Sequence, residues 1–314
     1  MSLVIASQLE ADFNHSLAQH PSRPVIIDVS ENEPWSAASE ADVLLVRPSP
    51  AWRRPPDMRP SGWPGRLKWV YSASAGVDFY PSWLLDAPLV TCGRGVASEE
   101  IADYVVAAIY AHAKNLEAVT ARSRAEWVQR PLGRVSGTTI GIIGLGAIGT
   151  AVGRRAVALG AQVIGVRRSS AGARIPEIQL VADVKQLVAE ADHIVVALPA
   201  TPQTRHLVND ELLAHVRPGA HLINVARGSV VDQEALVRAL DDGRLGFATL
   251  DVTDPEPLPE GHPLYTHPRV RLTPHISSNY TLVRHRLLDK VTDDLSRFAR
   301  GEAPSDIVDP TRGY

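Results

Sequence analysis

The chain has 314 residues, of which 45% are hydrophobic, and carries a formal net charge of −3. This length allows about two domains with a core each, and without a basic surplus the chain is not expected to bind nucleic acid. Cys92 is the only cysteine, which suits a reducing compartment. The sequence shows no signal-peptide pattern, and no apolar run is long enough to cross a bilayer. We therefore expect a cytoplasmic protein without a membrane partner.

The first hundred residues contain short apolar runs separated by turn residues. Four of these runs predict buried strands of a small α/β layer, and they lie at 25–29, 43–47, 68–71 and 89–91.

Two turns after these strands are candidates for binding an anionic ligand. The first, at 72–78, is rich in small residues, and the backbone N–H groups of Ala75, Gly76 and Val77 can face an anion at the carboxyl end of the sheet. The second turn brings the guanidinium of Arg94 to the same edge. An ordinary turn and a surface arginine explain these patterns equally well.

A long helix is predicted next, with Ser98 as its N-cap and acidic residues in its first turn. Its apolar face includes His112, which we expect to pack or to face a partner chain rather than to bind a ligand. The helix is expected to lead from the first domain into the second.

The strongest motif is a glycine turn between a strand and a helix. An apolar run at 138–143 predicts the strand, and helical spacing begins at Ala147. Gly144, Gly146 and Gly149 have the spacing of a dinucleotide-binding motif, in which the glycines permit the turn, the approach of a pyrophosphate and close packing of helix on strand. The N–H groups that open the helix favour an anion as well.

The strand predicted at 162–166 is followed by Arg167, Arg168 and Ser169, where a carboxylate would otherwise bind the ribose hydroxyls of NAD. Two guanidiniums and a hydroxyl remove a repulsion and supply donors for a 2′-phosphate. We therefore expect NADP(H) as the preferred cofactor, with NAD(H) as the alternative if both arginines point to solvent.

Strands and helices alternate through the rest of the chain, which predicts parallel strands with right-handed crossovers. A last helix, at 282–299, is expected to return to the first domain, so that the two domains share a cleft at the carboxyl ends of their strands. The other predicted strands lie at 193–198, 220–225, 247–252 and 270–273, and the other helices at 184–190, 209–214 and 232–241.

A cation, an acid and an imidazole each follow one of these strands. They are Arg227, Glu256 and His275. Individually they can be a surface charge, a solvated loop acid and a turn histidine. Jointly they lie at the sheet edge that presents the cofactor, which predicts a site for hydride transfer.

These segments resemble the D-isomer-specific 2-hydroxyacid dehydrogenase family over nearly the whole chain. The most specific marks are the glycine motif, Leu198-Pro199 with Thr201-Pro202, the run 224–232, and the series from Asp251 through Glu256-Pro257 to Thr273-Pro274-His275. The arginines at 167 and 168 depart from the acid of NAD-dependent members and resemble the NADP-dependent glyoxylate/hydroxypyruvate reductases.

The resemblance implies an α/β fold of two doubly wound parallel-sheet domains. A flavodoxin-like substrate domain comprises residues 1–100 and 284–314, and a Rossmann dinucleotide-binding domain, 101–283, is inserted in it. The resemblance also implies a homodimer built largely on the Rossmann domains. No metal is expected, because His262, His267 and His275 lack a recognised ligand spacing and no cysteine pair accompanies them.

The resemblance also implies roles for individual residues. Arg227, Glu256 and His275 form the catalytic trio, in which His275 protonates the substrate oxygen, Glu256 orients the imidazole and Arg227 holds the substrate carboxylate. Backbone at Ala75, Gly76 and Val77 cradles the substrate carboxylate. Arg94 is a further candidate for binding the substrate, from its position at the same sheet edge rather than from the resemblance. The residues implied to bind the cofactor are Gly144, Gly146, Ala147, Ile148, Arg167, Arg168, Ser169, Leu198, Pro199, Thr204, Val225, Ala226, Arg227, Asp251, His275 and Ser277.

The sequence thus predicts reduction of a small 2-oxo acid, such as glyoxylate or hydroxypyruvate, to a D-2-hydroxy acid with NADPH. Two alternatives stay open, an NAD-linked D-2-hydroxyacid dehydrogenase of the phosphoglycerate type and a nucleotide-sensing, corepressor-like binding module. Neither the particular acid nor the direction of the reaction follows from the sequence. Trp52, Trp83 and Tyr280 are candidates for the wall facing the substrate, and each also suits packing in a core.

Overall fold

The computed structural model describes residues 2–168 and 175–314. Contacts divide the chain into two compact units. The first unit consists of the residues up to Val96 together with Tyr280–Tyr314, and the second unit is Ala97–Asn279. The boundaries expected from the sequence, after residues 100 and 283, fall inside the first turns of two helices that begin at Ser98 and Tyr280.

The first unit contains a five-stranded parallel sheet with the order β2-β1-β3-β4-β5, which is the flavodoxin-like order. Helix α9, from Tyr280 to Ala299, packs on α1, where Arg284 pairs with Asp12. The strands are β1 (Val4–Ser7), β2 (Val25–Asp28), β3 (Val43–Val46), β4 (Trp69–Ser72) and β5 (Val90–Cys92), and the other helices are α1 (Ala11–Ala18) and α2 (Pro50–Arg53).

Aromatic side chains fill much of the core of the first unit. Trp52 is fully buried and donates from Nε1 to the Gln8 side chain at 2.7 Å. Trp83 is 6% exposed and lies edge-on to Trp63, with 5.0 Å between the ring centroids. Packing therefore encloses both indoles, which agrees with the alternative that Trp52 and Trp83 belong to the core.

The second unit contains a seven-stranded parallel sheet with the order β12-β11-β10-β9-β6-β7-β8. This is the Rossmann order extended by one strand, so the predicted architecture of two parallel-sheet α/β domains is confirmed. Its strands are β6 (Thr139–Ile143), β7 (Gln162–Val166), β8 (Ile178–Leu180), β9 (His193–Val196), β10 (His221–Asn224), β11 (Phe247–Leu250) and β12 (Val270–Leu272).

The second unit also contains six α-helices in its described residues. They are α3 (Ser98–Lys114), α4 (Leu116–Val119), α5 (Ala147–Ala158), α6 (Val184–Glu190), α7 (Asp210–Leu213) and α8 (Gln233–Asp241). In the described part of the chain, no helix has the length and apolar character needed to cross a membrane.

The start of α3 differs from the prediction. Ser98 is the first helical residue, and Ala97 holds the N-cap position without a capping side chain. The Ser98 hydroxyl is buried inside the helix boundary, so it is not placed to accept from the free N–H groups. His112, near the other end of α3, packs with its ring centroid 4.4 Å from that of His221, in agreement with the expectation that it packs.

Candidate active site

The glycine turn after β6 has a separate structural reason for each glycine. Gly144 has a φ of 107°, which favours glycine, and a Cβ there would stand 2.6 Å from the Ala197 carbonyl oxygen. A Cβ at Gly149 would stand 2.1 Å from the Gly144 carbonyl oxygen, so this glycine permits close packing of α5 on the strand. At Gly146 a Cβ would meet nothing within 4 Å.

The open space at Gly146 adjoins the first turn of α5. Gly146 is the N-cap residue and has no side chain to accept from the N–H groups of that turn, which begins with Ala147 and Ile148. Open space, backbone donors and the positive end of the helix dipole together fit a pyrophosphate. The residues present therefore fit a dinucleotide.

The end of β7 is tied directly to this turn. The Val166 carbonyl accepts from the N–H groups of Gly144 and Leu145, at 3.1 and 3.3 Å. Arg167 and Arg168 follow, the first partly buried and the second exposed. The predicted contact at Ser169 lies outside the described residues. Two guanidiniums beside the glycine turn give this part of the site a positive charge.

The turn after β9 carries two further predicted cofactor contacts, Leu198 and Pro199, and Thr204 closes it. The Thr204 hydroxyl donates to the Pro199 carbonyl at 2.8 Å and accepts from the Thr201 N–H at 2.8 Å. Thr204 therefore shapes this turn through its own hydrogen bonds.

Asn224, the last residue of β10, holds the turn that carries Arg227. Its side chain accepts from the Ala226 N–H at 3.0 Å and donates to the Arg227 carbonyl at 2.9 Å. Val225 and Ala226 are buried, whereas Arg227 is partly buried and donates from Nη1 to the Ala226 carbonyl at 2.9 Å. The sheet edge thus presents a guanidinium on an anchored turn.

His275 and Glu256 form the central pair of the site. The His275 Nδ1 lies 2.7 Å from Glu256 Oε1. Because an ionised carboxylate only accepts hydrogen bonds, Nδ1 carries the hydrogen, and Nε2 is left to exchange a proton with a ligand. The side chains are 47% and 36% exposed, so a ligand can reach them.

Asp251 organises the backbone around His275. Its buried carboxylate accepts from the Thr273 hydroxyl at 2.7 Å and from the N–H groups of Ile276 and Ser277 at 2.8 and 2.9 Å. Its carbonyl accepts from the His275 N–H at 2.8 Å. Asp251 and Ser277, both predicted to bind cofactor, therefore support the histidine loop in the structure.

The predicted substrate-binding turns of the first unit lie next to each other. Gly93, beside Arg94, donates from its N–H to the Ser72 and Ser74 carbonyls at 2.8 and 3.1 Å. Arg94 is 37% exposed, with its Nη1 3.6 Å from Asp306 Oδ1. In the turn that precedes it, Ala75 is exposed, Gly76 is partly buried and Val77 is buried.

Sequence reasoning missed several residues that hold these loops. Asn224 ends β10 and Thr273 directly follows β12. A polar residue at the end of a predicted strand was the signal that could have identified both. Tyr104, whose hydroxyl lies 2.6 Å from Thr273 Oγ1, is 169 residues away along the chain, so no local pattern could identify it. In residues 2–168 and 175–314, no group of three or more His, Cys, Asp or Glu side chains could hold a metal ion.

Comparison with known proteins finds a matching family and relatives that are named reductases. Residues 106–277 match the D-isomer specific 2-hydroxyacid dehydrogenase, NAD binding domain, family. Glyoxylate/hydroxypyruvate reductase A from Serratia proteamaculans is 34% identical over 288 residues, which cover 87% of this chain and 88% of that protein.

Two solved structures are similar over their whole length. A D-isomer specific 2-hydroxyacid dehydrogenase from Xanthobacter autotrophicus Py2, in complex with NADPH and MES, has a TM-score of 0.84 and 28% identity, with all of both chains covered. An NADPH-dependent glyoxylate/hydroxypyruvate reductase from Sinorhizobium meliloti, in complex with NADP and sulfate, has a TM-score of 0.82 and 25% identity, again with all of both chains covered.

Proposed function

The chain belongs to the D-isomer specific 2-hydroxyacid dehydrogenase family, and we propose that it is an NADPH-dependent reductase of small 2-oxo acids of the glyoxylate or hydroxypyruvate type. The observation that carries the proposal is the hydrogen-bonded pair of His275 and Glu256 on the nucleotide-binding unit. The names of the relatives support the choice of substrate and cofactor.

Each residue of the catalytic trio has a separate role in the proposed mechanism. A dinucleotide bound at the glycine turn would supply the hydride that the carbonyl carbon of the oxo acid accepts. His275 donates a proton from Nε2 to the carbonyl oxygen as negative charge develops there. Glu256 stabilises the imidazolium form and fixes the ring orientation. Arg227 binds the carboxylate and polarises the carbonyl, for which a planar guanidinium is well suited.

The proposed activity is tested by initial rates with a panel of 2-oxo acids and both cofactors. We expect glyoxylate or hydroxypyruvate with NADPH to react fastest, and reduction to be faster than the reverse reaction. His275→Ala should abolish reduction while NADPH still binds. A wild-type protein that binds NADPH tightly but reduces none of the acids would favour the nucleotide sensor, and efficient oxidation of phosphoglycerate with NAD would favour the second alternative.

The preference for NADPH is proposed to depend on Arg167 and Arg168, with Ser169 as a further donor. Arg167→Asp should weaken the use of NADPH relative to NADH by about 1–3 kcal/mol in kcat/KM, because a charge-assisted hydrogen bond to the 2′-phosphate is lost. Arg54→Asp, at an exposed residue of the first unit, changes the net charge equally and is the control. An unchanged preference in Arg167→Asp would remove that residue from phosphate recognition.

The substrate-binding roles of Ala75, Gly76, Val77 and Arg94 are proposals of the same kind. Arg94→Gln should raise the KM for the oxo acid and leave the KM for NADPH unchanged, because the guanidinium is expected to attract the carboxylate. Equal changes in both KM values would indicate a general loss of structure.

We further propose a cytoplasmic homodimer. The segment after α3 exposes large apolar side chains, among them Trp127, which is 84% exposed, and such patches mark interaction surfaces. Sedimentation should give twice the mass of the 34.0 kDa chain, and Trp127→Asp should shift the equilibrium towards the monomer. Cell fractionation tests the compartment.

A further inference from the structure

Gln233 connects two catalytic loops within the second unit. It is the first residue of α8 and follows the turn that carries Arg227. Its side chain donates from Nε2 to the Asp254 carbonyl at 2.6 Å and accepts at Oε1 from the Asp254 N–H at 3.1 Å. One side-chain amide thus satisfies both backbone groups of a residue two positions before Glu256.

The same two loops also touch at a second place. A Cβ on Gly228, next to Arg227, would stand 1.9 Å from the carbonyl carbon of Thr253, so the two backbones are in direct contact there. The Asp254 carboxylate lies 3.5 Å from Arg205 Nη1. The Glu256 loop is therefore held on the Arg227 loop by backbone contact at 228 and by the amide of Gln233.

The exposure of the His275–Glu256 pair makes this attachment important. Pairs this exposed contribute only about 0–1 kcal/mol by themselves, because water competes and two side chains must be ordered. A backbone that already holds Glu256 opposite the imidazole therefore favours the pair. A rigid supporting loop lowers the entropy cost of forming the pair.

We propose that Gln233 is a positioning residue for the reaction: by clamping the backbone of Asp254 it keeps Glu256 hydrogen-bonded to His275. This inference rests on the proposed function. Gln233 contacts neither of the two paired side chains in the hydrogen bonds described, so it acts through the loop. Loosening the loop lets Glu256 leave the imidazole, and the protonated form of His275 then loses its partner.

Two substitutions separate the hydrogen bonds from side-chain volume. Gln233→Ala removes both hydrogen bonds. Gln233→Glu keeps the shape and the acceptor for the Asp254 N–H but places a carboxylate oxygen against the Asp254 carbonyl. Gln186→Ala is the matched control, since the Gln186 side chain also accepts from a backbone N–H, that of Ala182 at 3.2 Å, and donates to Glu190 at 3.0 Å, on helix α6.

The first readout is the division of the effect between kcat and KM in oxo-acid reduction. In both Gln233 variants we expect kcat to fall about tenfold and the KM for NADPH to stay within about twofold. A general loss of structure would lower the fraction of protein that binds NADPH and leave kcat per binding site unchanged. Gln186→Ala should leave both kcat and KM unchanged.

The second readout does not need activity. The His275 imidazole signals, assigned in NMR spectra by their absence in His275→Ala, should shift in both Gln233 variants at a fixed pH, because the ring loses its hydrogen bond to Glu256. Imidazole signals and a kcat that both match the wild type would overturn the role of Gln233, and so would a lower kcat with unshifted imidazole signals. A wild type without reductase activity but with the expected shift of the imidazole signals in the variants would instead contradict the proposed function and leave the positioning role supported.

Discussion

His275 adopts a left-handed backbone conformation, with a φ of 53°. This conformation costs about 1–2 kcal/mol for a residue with a Cβ, so surrounding contacts must maintain it. Asp251 supplies them, since its carbonyl accepts from the His275 N–H and its carboxylate from the next two N–H groups. The hydrogen bond of Thr273 to the same carboxylate fixes the start of the turn. A single buried acid therefore holds the backbone that carries the imidazole.

Asp251→Asn tests this role. The amide can present only one acceptor oxygen to three donors, and its NH₂ group faces a donor. We expect the free energy of unfolding to fall by about 1–3 kcal/mol and kcat to fall with it, while NADPH still binds. Urea denaturation and initial rates measure the two effects. Asp242→Asn, at the end of α8, is the control, and an Asp251 variant as stable and active as that control would contradict the account.

At the scale of elements, the three glycines between β6 and α5 serve different purposes. Gly149 is required by packing, since a Cβ there would press on the Gly144 carbonyl oxygen at 2.1 Å, whereas Gly146 has open space. A side chain at Gly146 would therefore disturb a bound ligand rather than the folded chain.

We accordingly expect opposite behaviour from two alanine substitutions. Gly146→Ala should leave the unfolding temperature close to that of the wild type and weaken NADPH binding about tenfold or more, because the methyl group occupies the approach of the pyrophosphate. Gly149→Ala should lower the free energy of unfolding by about 1–3 kcal/mol through overpacking. Thermal unfolding and NADPH fluorescence titration distinguish the two. Unchanged NADPH affinity in Gly146→Ala would refute the assignment of this space to the cofactor.

The elements also show what could be predicted from the sequence. Helix α6 and strand β7 have the predicted bounds, because their apolar periodicity is regular and flanked by turn residues. Strands β1 and β8 were missed, and β8 buries only Ile178 of its three residues, so no apolar run marks it in the sequence. Residue types after strand ends indicated Arg227, Glu256 and His275, whereas the contacts of Gln233, Thr273 and Tyr104 depend on loops that only the folded backbone brings together.

For the whole molecule, we expect acid stability to depend on a histidine cluster at the amino ends of the strands in the second unit. His193 and His221 begin the neighbouring strands β9 and β10, with their Nδ1 atoms 3.3 Å apart, and His221 Nε2 lies 2.9 Å from Thr249 Oγ1. His112 of α3 stacks on His221, and the guanidinium of Arg271 lies over the ring of Phe247.

Burial makes this cluster favour neutral imidazoles. Burial lowers the pKa of His193 to about 4, and the charge of His112 adds to that effect, whereas Asp192 opposes it. The pKa of His221 is held well below its usual value by burial and by repulsion from His112, His193 and Arg271. The pKa of His112 is lowered by burial and by Arg271. All three histidines therefore take up protons more readily in the unfolded chain.

The fold should consequently lose stability as the pH falls below the ordinary histidine value. The contribution of His193 is complete above pH 6.5, the usual pKa of histidine, and is lost as the pH falls towards the folded-state pKa of about 4. Between pH 7.5 and pH 5, this loss amounts to roughly 1–2 kcal/mol for His193 alone.

His193→Asn removes the titrating group, so this variant should lose less stability on acidification than the wild type, even if it is less stable at pH 7.5. The exposed His215, changed to Asn, is the control and should follow the wild type. Urea denaturation at the two pH values measures the difference, and equal losses in His193→Asn and wild type would show that the buried imidazole does not set the acid limit of the fold.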